Sequence, residues 1–181
     1  LETEASRRVR DMIKTRASSD DTLETIVTDL CSKYRDADKD AFYPLVHALL
    51  NIIGLKCEGE IGRYDAYCLF NGCVIPVEIK SFTESPSYNM KGVRQAIENK
   101  IMSYDKGNVR SLDYASLVIG FSHPTNDAAI RRTIDMAYRN FGIKIIACDL
   151  CSIARMAVRR VVSNEMLDFE GVLTGYGLLI D

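Results

Sequence analysis

The sequence predicts an α/β fold: a mixed central sheet with helices on both faces. Three observations carry that expectation. Apolar residues recur at helical spacing through the first third, the period changes to that of strands near residue 55, and strand and helix patterns then alternate. Strand–helix–strand alternation implies parallel pairing and right-handed crossovers in the second half.

Leu1 to about Thr15 is charged and amphipathic and reads as a first helix. Asp20 or Asp21 can cap a second, with Leu23, Ile26, Val27, Leu30 and Tyr34 on one face. Asp40 can cap a third, whose apolar stripe runs from Phe42 to Ile53 and stops at Gly54; Pro44 then falls in its first turn, where a missing amide does little harm. Strands are expected over residues 55–61, 64–70 and 73–80. Asn71-Gly72 joins the last two, because both residues tolerate positive φ in a tight hairpin. After a loop containing Pro86 come a helix over 90–104, a strand over 114–121, a helix over 127–140, a strand over 143–149 and a further helical stretch. The whole is read as one domain, 1–181, with a helical N-terminal part to about residue 54.

Composition narrows the function classes. With 47% hydrophobic residues among 181, the chain has enough apolar content to form a core without metal or disulfide support. No run of about eighteen apolar residues occurs, so no membrane-spanning helix is expected. Net charge is −2 and the pI about 5.8. A self-sufficient nucleic-acid binder normally carries a basic excess, so any action on nucleic acid is expected to depend on a partner for affinity. The six cysteines include one CxxC pair, Cys148 and Cys151, and no second pair to complete a zinc site. They read as reduced, mostly buried thiols, which, with no visible signal peptide, favours the cytoplasm.

The hairpin supplies the chemical hypothesis. A two-residue loop at 71–72 pairs Phe70 with Cys73, which carries Asp65 opposite Glu78. Opposed residues share a sheet face with Cβ atoms about 5 Å apart, and Lys80 lies two residues further along that face. Two facing acids destabilise a sheet unless something compensates, and Mg²⁺, which takes one or two carboxylates and keeps its waters, is the natural compensator. The Ile79 carbonyl between the two functional side chains is a further candidate ligand. Lys80 is suited to orienting a water or to stabilising charge on phosphorus, which is the equipment of phosphodiester hydrolysis. The competing reading is a solvated hairpin face with weak ion pairs. Against it stand Val74, Ile75, Val77 and Ile79, which mark the Glu78 strand as buried.

Gly62-Arg63-Tyr64-Asp65 followed by Val77-Glu78-Ile79-Lys80 resembles the PD-(D/E)XK nuclease superfamily, with tyrosine in place of the usual proline. Tyr88-Asn89-Met90, Gln95-Ala96, the stretch from Leu117 to His123 and the stretch from Ile143 to Leu150 are similar to the cleavage domain of FokI-type type IIS restriction endonucleases, over roughly residues 40–155. The resemblance implies a restriction-endonuclease-like fold, with Asp65 and Glu78 as Mg²⁺ ligands and Lys80 as the catalytic lysine. It implies that Gln95 steadies the site or approaches DNA. Relatives often add an acid from the first core helix; here that helix offers His47, read first as a hydrogen-bonded core residue, and Glu60 is read as a solvated edge residue. Lys91, Arg94, Arg131 and Arg132 are candidate phosphate contacts. No segment is long enough for a DNA reader, so the chain resembles the small catalytic subunit of a heterodimeric type IIS enzyme. Its partners would be double-stranded DNA and a larger, site-specific nicking subunit. The alternatives are a non-catalytic interaction subunit with a degenerate nuclease fold, and a solitary repair or junction nuclease of the same superfamily.

Overall fold

A computed structural model describes residues 2–59 and 64–180. Three helices come first: α1 (Glu4–Ala17), α2 (Leu23–Lys33) and α3 (Lys39–Ile53). Each opens on a side-chain cap to an otherwise unpaired amide, from Thr3, Thr22 and Asp38 respectively. The expected caps at Asp20 or Asp21 and at Asp40 are therefore displaced. Asp38 starts α3 two residues earlier, because its carboxylate reaches the Ala41 amide at 3.1 Å. Pro44 consequently lies inside the helix rather than in its first turn, and one intrahelical hydrogen bond is lost there.

The sheet has six strands in sequence order, β1 (Lys56–Glu58), β2 (Ala66–Phe70), β3 (Cys73–Lys80), β4 (Ser116–Gly120), β5 (Ile145–Asp149) and β6 (Gly177–Leu179). Strands β1 to β3 are antiparallel and β3 to β6 parallel, so the sheet is mixed as the pattern implied. Asn71 and Gly72 take φ of 48° and 72°, and the ladder runs from Phe70 opposite Cys73 to Ala66 opposite Val77, the register read from the turn. The first strand is shorter than expected, and the remainder of that expectation, residues 60–61, lies outside the described residues.

Helices α4 (Met90–Asp105) and α5 (Ala128–Phe141) connect the parallel strands over one face, where Val93, Ala96, Ile130 and Ile134 pack on Val118, Ile145 and Ala147. Helices α1 to α3, α6 (Leu150–Val162) and α7 (Phe169–Leu173) cover the other face, against Ile75, Val77, Ile79, Leu117 and Ile119. Each large apolar side chain buried in these layers contributes roughly 1.5–3 kcal/mol over its exposed state. The chain steps across the sheet in one direction from β3 to β6, yet α5 and α6 lie on opposite faces. The connection into β6 therefore has the opposite hand to the one before it, against the expectation of uniform handedness. The strand β6 itself lies in the stretch read as helical.

The six thiols are free. Cys148 faces the first core from β5, whereas Cys151 begins α6 and is hydrogen-bonded, Sγ to Sγ at 2.6 Å, to Cys31 of α2. The CxxC pair thus diverges into two packing environments. Among the described residues no helix is long and apolar enough to cross a membrane.

Candidate active site

Strand β3 is buried at both its faces because it lies between β2 and β4 with helices above and below, and its C-terminal end carries Glu78, Ile79 and Lys80. Ligand sites in open parallel sheets form at this end of the strands. Glu78 has no exposed surface. Its Oε1 accepts a hydrogen bond from Asn99 Nδ2 of α4 at 2.8 Å, while Oε2 is buried without a partner among the described residues. Burial and then the neighbouring Asp65 charge push the Glu78 carboxyl up to about 7, with Lys80 opposing the shift. A carboxylate held in this way lacks a compensating charge on one oxygen.

Asp65 reaches the site by a different route from the one read off the hairpin. The ladder stops at Ala66 and Val77, so Asp65 does not pair with Glu78 as an in-register residue. Its Oδ2 accepts the backbone amide of Ile79 at 2.8 Å and lies 3.7 Å from Lys80 Nζ. Once Asp65 leaves the ladder, its side chain stands in for the strand backbone and satisfies an amide that β2 no longer serves. The outcome still brings Asp65, Glu78 and Lys80 together. Gly62 and Arg63, the residues before Tyr64, and Glu60 lie outside the described residues.

The Ile79 carbonyl, expected as a ligand, accepts the Tyr43 hydroxyl from α3 at 2.8 Å. The same hydroxyl stands 3.1 and 3.2 Å from the two oxygens of Glu84. One phenol proton serves one acceptor at a time, so acceptors outnumber donors around it. Burial first, then the charges of Asp65, Glu84 and Glu78, hold the Tyr43 phenol well above its ordinary range. Glu84 also accepts from the Ser81 amide and hydroxyl, both at 2.9 Å. Burial opposes that ionisation, but these bonds, with Tyr43 and Lys80, keep the Glu84 carboxyl below its usual value. Tyr43, Glu84 and Asn99 were not singled out from the sequence. Only the proximity of Glu84 to Lys80 along the chain was a signal for any of them.

His47 Nε2 is buried and has no hydrogen-bond partner among the described residues, which departs from the expected hydrogen-bonded core residue. Burial lowers its pKa, and the Asp65 charge partly restores it. Lys91, Arg94 and Gln95 line an open cleft on α4 with Glu98 and Asn99, one turn from the Asn99–Glu78 contact. Arg131 instead pairs with Asp127 at 2.8 Å, in a chain that continues through His123 to Tyr88. That chain fixes the loop before α4: Tyr88 is fully buried, its amide bonds to Ser122, and its backbone passes so close to Gly120 that a Cβ there would lie 2.1 Å from the Tyr88 nitrogen. Asn89 then caps α4 through the Gly92 amide at 3.0 Å.

Among the described residues no group of three or more His, Cys, Asp and Glu side chains stands together as a metal cage. The donors at the site are two carboxylates and a backbone carbonyl. That set suits Mg²⁺, which commonly binds through one or two carboxylates and retains waters, and does not suit a softer metal. Among the described residues Glu78 Oε2 has no hydrogen-bond partner, so the site keeps acceptor capacity that the protein does not fill. No protein-family model, no curated protein and no solved structure matches the chain.

Proposed function

We propose that the chain is a Mg²⁺-dependent DNA endonuclease subunit with a restriction-endonuclease-like fold. It resembles PD-(D/E)XK enzymes, and within them the catalytic small subunits of heterodimeric type IIS restriction endonucleases. The observation that carries the reading is Glu78: fully buried, one oxygen without a partner among the described residues, with Asp65 and Lys80 beside it. A structural carboxylate at such a position would have both oxygens paired.

Asp65, Glu78 and the Ile79 carbonyl would hold the cation, which supplies Lewis-acid stabilisation of charge on a phosphodiester and activation of water. The chain's own residues do the rest. Lys80, 14% exposed and 3.7 Å from Asp65, presents an ammonium to the place where an attacking water or a phosphoryl oxygen gathers charge. Asp65 anchors the Ile79 amide, so the strand end that carries Glu78 and Lys80 does not splay. Lys91, Arg94 and Gln95 on the exposed face of α4 are placed to guide the phosphate backbone toward Glu78. A net charge of −2 supports delegation of sequence recognition and most phosphate affinity to a larger nicking subunit, and disfavours a solitary nuclease.

The test is strand cleavage in Mg²⁺ with and without the nicking partner. Asp65→Ala and Glu78→Ala are each expected to reduce second-strand cleavage by at least roughly 10²–10³-fold while circular dichroism stays that of the parent. The subunit alone is expected to cut negligibly, and chelation to abolish cutting by the complex. Cleavage at the parental rate in either variant would overturn the assignment.

A further inference from the structure

Asn99 donates a hydrogen bond directly to Glu78, and it comes from the helix that also lines the cleft. We propose that Asn99 is a positioning residue: it ties down one oxygen of Glu78 and thereby dedicates the other to a divalent cation. The inference rests on the metal reading above and adds a residue to it.

Asn99 is only 5% exposed, and its Nδ2 lies 2.8 Å from Glu78 Oε1. Glutamate has three side-chain torsions, so a buried Glu78 with both oxygens free would have several arrangements of its carboxylate. A donor on one oxygen selects a single arrangement and leaves Oε2 with no partner among the described residues. An amide is the suitable group. It donates without carrying charge, so it orients the carboxylate without neutralising it, as lysine or arginine would. Partners of this kind, which touch a ligand but not the metal, typically change metal affinity by roughly 10–100-fold when removed.

The position of Asn99 on α4 adds a second consequence. Gln95 lies one turn before it and Lys91 two turns before, all bordering the same cleft. A strand of nucleic acid bound along that face therefore bears on the helix that sets Glu78.

Lys100 is the internal control. It is the next residue on α4 and is also buried, but it bonds to the Ser111 and Tyr114 carbonyls. A loss of packing in α4 and a loss of Glu78 orientation are thus separable.

The experiment measures Mn²⁺ binding to the full chain by the paramagnetic resonance of the free ion, below the melting range of every variant. Asn99→Leu removes the donor at nearly constant volume, and Asn99→Ala removes it without crowding. Both are expected to raise the Mn²⁺ half-saturation concentration by roughly 10–100-fold. Lys100→Met is expected to lower the melting midpoint and leave Mn²⁺ binding within about twofold of the parent. Glu78→Gln is the reference for loss of the ligand itself. Parental affinity in both Asn99 variants, with affinity lost in Glu78→Gln, overturns the positioning role alone. Parental affinity in Glu78→Gln as well overturns the metal reading and the positioning role with it. An equal loss in Lys100→Met and Asn99→Leu overturns the inference in favour of a general packing role.

Discussion

Glu78 and Lys100 are both buried charges served by helix α4, and the fold treats them differently. Lys100, 1% exposed, donates to the carbonyls of Ser111 and Tyr114, the latter at 2.8 Å, and so ties α4 to the 3-10 turn Val109–Leu112 and the start of β4. Glu78, with no exposure at all, keeps one oxygen unpaired beside a second acid. Burial lowers the Lys100 amine to about 8 and raises the Glu78 carboxyl to about 7. Burial of a charge therefore does not by itself mark function. What distinguishes the two is hydrogen-bonding capacity that the protein leaves unfilled, which is the property a ligand can use.

The comparison is open to direct attack. The largest stability effect is expected from Lys100→Met. The substitution leaves two carbonyls without a donor, and urea unfolding should show a loss of about 2–3 kcal/mol. Glu78→Gln should act in the opposite direction in the absence of divalent cation. Removing a buried charge that has no counter-charge on one oxygen should stabilise the chain by about 1–3 kcal/mol above pH 7, even though activity is lost. If both variants destabilise equally, the distinction between a structural and a functional buried charge fails here.

The pH dependence sharpens the same contrast, because the two groups give slopes of opposite sign. The unfolded chain releases the Glu78 proton near 4.5 and the folded chain near 7, so the folded state binds more protons between them and stability falls as pH rises through that window. Lys100 is protonated in the unfolded chain up to about 10.5 but in the folded chain only up to about 8, so stability rises between those values. Glu78→Gln should flatten only the first slope and Lys100→Met only the second, as read from urea midpoints across pH. The smallest effect is expected from Tyr43→Phe. Loss of the bond to the Ile79 carbonyl at a half-buried position should cost about 0.5–1.5 kcal/mol in the same assay.

Much of the frame was legible because it is local. The φ angles that Asn71 and Gly72 tolerate fixed the hairpin, and the hairpin fixed the β2–β3 register as far as Ala66. Extrapolating one residue further failed in mechanism though not in neighbourhood. Asp65 leaves the ladder and reaches Glu78 by capping the Ile79 amide. The alternation of helix and strand after residue 80 was also visible, but β6 was not. Three residues at an edge, paired with β5, carry too little periodicity to read. Helix starts slipped by two residues where Asp38 and Asp40 compete as caps, and only the geometry of the turn decides between them.

The sequence by itself determined the α/β alternation, the hairpin and the placing of Glu78 and Lys80 on one face at one strand end, since these follow from side-chain period and turn conformation over a few residues. Only the tertiary structure decided which groups complete the site. Asn99 arrives from 21 positions after Glu78, and Tyr43 from 36 before Ile79. Their contacts depend on how α4 and α3 pack against the sheet, and the reach of a side chain across two packed elements leaves no periodic trace in the chain.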